Sequence, residues 1–141
     1  MKIIKNLIAL LLLIGMSSIP FSVFADFNDG WSSFIAEDYK SASKEWRRLS
    51  EMGDAKSQTN LGILYFNGKG VLKDYDKALK WLKKAANQGE AEAQYILGNM
   101  YIEGDGVLKS FKNAKYWVQL SYENGFARAE NLWNDYELWK F

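Results

Sequence analysis

Cysteine and histidine are absent from the 141-residue chain, and proline occurs once, at Pro20. Without thiols there is no disulfide staple, no thiolate nucleophile and no cysteine ligand for a metal. Without imidazole the commonest general base and metal ligand is missing, so Ser-His-Asp, Cys-His, zinc and haem chemistries built on those residues are excluded by residue type. No catalytic set, cofactor or metal is therefore expected. A dominant charge is lacking too: 18 Lys and Arg stand against 17 Asp and Glu. Nothing in that balance draws the chain to nucleic acid or to an anionic membrane surface.

Long apolar runs are also scarce. The run Leu7 to Met16, LIALLLLIGM, is half of the roughly 20 residues that span a bilayer. Lys2 and Lys5 precede it and Val23-Phe24-Ala25 follows. These are the basic, apolar and small-residue parts of a secretory signal peptide over residues 1–25, with cleavage expected between Ala25 and Asp26. The expected product is exported, periplasmic or secreted, with no stable membrane insertion after cleavage. Losing two lysines leaves 16 basic residues against 17 acidic, a net charge of −1.

What the chain does have is a repeat. A shift of 36 residues superimposes Ala55, Gln58, Leu61, Gly62, Tyr65, Gly68, Gly70, Val71, Leu72, Lys73, Ala78, Trp81 and Gly89 on Ala91, Gln94, Leu97, Gly98, Tyr101, Gly104, Gly106, Val107, Leu108, Lys109, Ala114, Trp117 and Gly125. A period in this range marks a solenoid, in which each unit buries its apolar face on its neighbours. The units are residues 54–89 and 90–125, preceded by a half-repeat cap over 26–53 and followed by a capping helix over 126–141.

Punctuation recurs at the same spacing. Asp38, Asp74 and Ser110 are residue types favoured at a helix N-cap, and Gly53, Gly89 and Gly125 suit helix ends. Leu61, Gly62 and Tyr65, like Leu97, Gly98 and Tyr101, share one helical face. The expected fold is all-α, a right-handed α-solenoid of antiparallel helix pairs. Seven helices are expected, near residues 28–37, 39–52, 54–67, 74–88, 90–103, 110–124 and 126–140.

Those residues resemble the Sel-one-like repeat family, relatives of the tetratricopeptide repeats. The second unit supplies Ala91, Ala93, Gln94, Leu97, Gly98, Tyr101, Gly104, Gly106, Val107, Ala114, Trp117 and Gly125 of the pattern, and the first adds Asp74, Ala85 and Ala86 while placing Ser57 where Ala93 stands. Leu72 and Leu108 depart from a frequent proline, and Ser121-Tyr122 replaces Ala85-Ala86. The resemblance implies a protein-binding scaffold, commonly an adaptor and in bacteria often exported. A periplasmic immunity protein that neutralises a delivered toxin is a narrower form of that role. A cysteine-rich branch linked to penicillin binding is not carried over to a chain without cysteine.

Candidate sites follow from where the two copies differ. Gly68-Lys69-Gly70 and Gly104-Asp105-Gly106 lack the continuation of a phosphate-binding loop and read as turns. The lysines 73, 77, 80, 83 and 84 read as a solvated face, since the second copy lacks them. Glu103 and Asp105 have no counterpart pair in the first copy, which leaves a cell-wall hydrolase poorly supported. With Leu61, Gly62 and Tyr65 in the core, the stripe Thr59, Ile63, Phe66 and its counterpart Tyr95, Asn99, Ile102 face elsewhere. These six are expected side by side on the concave face, flanked by Lys56, Asn67, Glu92 and Glu103, as a surface for another protein. Trp133, Tyr136 and Trp139 divide between a core cap and a second contact surface.

Overall fold

A computed structural model describes residues 29–141; the expected signal segment lies outside the described residues. The helices are α1 (29–35), α2 (Tyr39–Glu51), α3 (Ala55–Asn67), α4 (Tyr75–Asn87), α5 (Ala91–Glu103), α6 (Phe111–Glu123) and α7 (Arg128–Asp135), then a 3-10 turn at Leu138–Lys140. No strand occurs among the described residues. Each helix packs chiefly on its sequence neighbours, which gives an α-solenoid. The odd-numbered helices form the inner row and α2, α4 and α6 the outer row.

Caps start these helices as their residue types dictate. Asp38 accepts from the Ser41 amide at 3.1 Å, Asp74 from Lys77 at 2.9 Å, and the Ser110 hydroxyl from Asn113 at 3.2 Å. Asp54 and Glu90, expected inside α3 and α5, are instead extended residues just ahead of them. The Asp54 carboxylate accepts from the Ser57 amide at 2.7 Å, whereas the longer Glu90 side chain makes no capping bond.

Small residues set how closely the rows approach. A Cβ on Gly62 would lie 2.7 Å from Leu82 Cγ, and one on Gly98 would lie 2.5 Å from Val118 Cγ2. The glycine on the repeat's buried face is thus the seat of the next outer helix. Gly70 and Gly106 have φ near +68°, a conformation that glycine adopts without steric cost. A side chain at Gly70 would strike the Tyr39 carbonyl, and one at Gly106 the Tyr75 Cβ, so each loop docks against the start of the preceding outer helix.

Buried glutamines lock one repeat to the next. Gln58 Nε2 donates to the Ser50 carbonyl and its Oε1 accepts from Gln88 Nε2 at 2.8 Å. One period on, Gln94 donates to the Ala86 carbonyl and accepts from Asn124 Nδ2 at 3.0 Å. Each glutamine therefore ties an inner helix to the outer helices on either side of it. The first apolar cluster centres on Trp46, Leu61, Leu64, Tyr65, Leu82, Leu97 and Met100, with Trp81 inside it and Trp117 against it. The second holds Ile102, Ala114, Val118, Leu132 and Leu138, with Tyr101 packed against it.

The terminal helix differs from the expected continuous 126–140. It stops at Asp135, Glu137 takes φ +47°, and a 3-10 turn follows. The break lets Phe141 stack on Phe111 at 4.8 Å while Lys115 Nζ donates to the Phe141 carbonyl at 2.6 Å. Leu138 is fully buried at the repeat position of Ile102.

A candidate binding groove on the inner helices

The inner row presents two adjoining hollows. One, of about 240 Å³, is bounded by Trp31 of α1, Lys56, Thr59 and Asn60 of α3, and Glu90 and Glu92 at the start of α5. The other, of about 290 Å³, runs from α3 across α5 to Arg128. Its apolar lining is Ile63, Phe66, Tyr95, Ile96, Met100 and Phe126, and its polar lining is Asn67, Asn99, Glu92 and Arg128. Glu92 borders both hollows, which makes one groove of the two.

Eight of the ten residues expected to meet a partner line this groove: Lys56, Thr59, Ile63, Phe66, Asn67, Glu92, Tyr95 and Asn99. Phe66 packs edge-on against Tyr75 at 5.2 Å, and Tyr95 tilts against Phe126 at 5.1 Å. The aromatic lining is thereby held by side chains from neighbouring elements. Asn67 donates to the Ile63 carbonyl.

Thr59 lies deepest of these, and the other two, Ile102 and Glu103, are corrected. Thr59 is 1% exposed, its hydroxyl bonded to the Ala55 carbonyl, so it forms the floor of the first hollow and does not project from it. Ile102 is also 1% exposed because α7 and the 3-10 turn cover it. Glu103 is exposed but accepts a hydrogen bond from the Tyr136 hydroxyl at 2.9 Å, so it anchors the terminal segment outside the groove. That bond raises the Tyr136 phenol above its ordinary range. Trp31, Asn60, Glu90, Phe126 and Arg128 belong to the groove and were not expected there. One more shift by the period, from Lys56 to Glu92 to Arg128 and from Asp54 to Glu90 to Phe126, finds the last two.

Charge is not uniform along the groove. Partial burial pushes the Glu90 carboxyl above its usual value; Lys56 opposes that shift, and Glu92 and Asp54 add to it. Outside it, α2, α4 and α6 carry four, four and two basic residues against two, one and one acidic. Many of those cations lie over rings: Arg47 and Lys77 over Tyr65, Lys80 and Lys84 over Trp81. Lys73, Lys77, Lys80 and Lys84 nevertheless remain exposed, so the lysine face is solvated. A third hollow, of about 620 Å³, lies beyond α6 and α7 and is lined by Gln119, Tyr122, Glu123, Glu130, Trp133 and Asn134. There Tyr122, Trp133 and Asn134 occupy the repeat positions of Ala86, Leu97 and Gly98.

Comparison with known proteins agrees with this architecture. The family model for the Sel1 repeat matches residues 55–90 and 91–126. A protective antigen of uropathogenic Escherichia coli with an SLR fold is 30% identical, superposes with a TM-score of 0.72, and shares 76% of this chain but 24% of its own. A Sel1 repeat protein from Oxalobacter formigenes is 38% identical with a TM-score of 0.61, over 64% of this chain and 36% of its own. The chain thus spans about a quarter and a third of the lengths of these two structures. No curated protein sequence matches it significantly.

Proposed function

Because the chain belongs to the Sel1 repeat family, a scaffold that commonly mediates protein interactions, we propose that it binds another protein through the groove on its inner helices. The observation that carries this reading is the open apolar trough Ile63, Phe66, Tyr95 and Phe126, built at positions where the repeats differ. Residues shared by the repeats build the frame, so a specific partner is read by the ones that are not shared. Half-buried aromatic anchors inside a polar rim suit such recognition. The protein acts without catalysis, in keeping with a chain free of histidine and cysteine. It works after export, with the signal over residues 1–25 removed.

A photo-crosslinking amino acid at Tyr95, introduced in living cells, should give a discrete protein adduct. The double substitution Phe66→Ala and Tyr95→Ala should abolish co-purification of that protein while the circular-dichroism melt shows a cooperatively folded chain. Retention of the adducted protein by the double variant would refute the groove as the binding surface.

A further inference from the structure

Ten large apolar side chains are exposed among the described residues, and they are unevenly placed. Six of the ten, Ile35, Leu72, Leu108, Tyr136, Trp139 and Phe141, lie on the edge where inner helices end and outer helices begin. Tyr136 reaches Glu103 at the end of α5 and Phe141 stacks on Phe111 at the start of α6, which holds the terminal segment on that edge. The turns of the opposite edge, at Gly53, Gly89 and Gly125, expose Met52 alone among large apolar side chains. Leu72 and Leu108 are the most exposed of the six, at 91% each, and stand one period apart. Val71 and Val107 beside them pack against the core, so each loop is anchored by its valine and turns its leucine outward. A lone exposed leucine is ordinary, but an aligned row of apolar side chains marks a contact surface.

The shape of this row selects the kind of contact. None of the six lines the hollows described above; they project from loop tips and helix ends. A protein partner must supply a fitted pocket for each projecting side chain, whereas a lipid interface is fluid and takes them all at once. Tyrosine and tryptophan are the residue types that settle at headgroup level. Charge behind the edge suits an anionic surface. Lys73 and Lys109 directly follow the leucines and are exposed, and the outer helices that start there carry ten basic residues against four acidic. Such lysines keep their charge among the headgroups while their stems lie along apolar surface. No helix among the described residues is long and apolar enough to cross a membrane, so the contact is peripheral.

We infer that this edge docks reversibly on the surface of an anionic lipid bilayer, with Leu72 and Leu108 dipping below the headgroups. The probe is co-sedimentation of the purified chain with vesicles of phosphatidylcholine alone, or of equal parts phosphatidylcholine and phosphatidylglycerol. Wild-type and variant chains are compared in the same processed form, so residues 1–25 cannot account for a difference between them. Binding should favour the mixed vesicles and weaken with added salt. Leu72→Ser with Leu108→Ser should weaken it roughly ten-fold, since binding scales with the apolar area buried, while the thermal melt stays unchanged because both positions are exposed. The absence of cysteine allows a single environment-sensitive dye at Leu72→Cys or, as the opposite-edge control, at Met52→Cys. Mixed vesicles should shift the emission of the first to the blue and leave the second unmoved. Undiminished binding by the leucine variant, equal binding to both kinds of vesicle, or no binding at all overturns the inference. A shift of the Leu72→Cys dye with rising protein concentration and no vesicles assigns the edge to a second copy of the chain, which also overturns it.

Discussion

At the scale of the residue, two matched positions give opposite expectations. Asp54 caps α3, and Asp54→Ala should cost about 1 kcal/mol in chemical denaturation. Glu90 is its counterpart one period on, makes no such bond, and has its carboxyl raised from 4.5 by burial. A carboxyl raised in the folded state favours folding when protonated; that stability is present below its ordinary value and is lost as the pH climbs through the folded one. Glu90→Gln should therefore raise the melting temperature at about pH 7 and leave it nearly unchanged at about pH 4, as checked by paired calorimetric scans. The caps Asp38, Asp74 and Ser110 were legible because residue type and period agree. Ile102 was misread, and Thr59 lies deeper in the groove than expected, for a geometric reason. A stripe drawn on one helix ignores its neighbours, and an inner helix flanked on both sides has only a narrow arc left in the open.

At the scale of the element, the glycine on the shared face decides the spacing between rows. Gly98→Ala gains about 1 kcal/mol of helix propensity, yet the new methyl would sit 2.5 Å from Val118 Cγ2. Overpacking costs about 1–3 kcal/mol, so the net effect should be a lower denaturation midpoint. Adding Val118→Ala should recover much of the loss, which shows as strong non-additivity in a double-mutant cycle. The helices themselves were readable from caps, glycines and period. The broken terminal helix was not, since its causes are distant contacts: Phe141 on Phe111, Lys115 to the Phe141 carbonyl, and Tyr136 to Glu103. No local sequence signal announces a turn at Glu137.

At the scale of the whole molecule, charge separates by row. The outer helices are basic, while α3, α5 and α7 carry two basic residues against four acidic. A near-neutral composition hides this segregation, which appears only once the period assigns each residue to a row. If the N-terminal segment directs export, intact-mass measurement of the exported protein should give a chain beginning at Asp26; a mass that includes residues 1–25 would contradict it. The buried glutamine bonds also have a mechanical meaning. Both pairs lie at the edge where outer helices end and inner helices begin. Sliding one repeat along the next would break both sets of bonds, so that edge fixes the register between repeats.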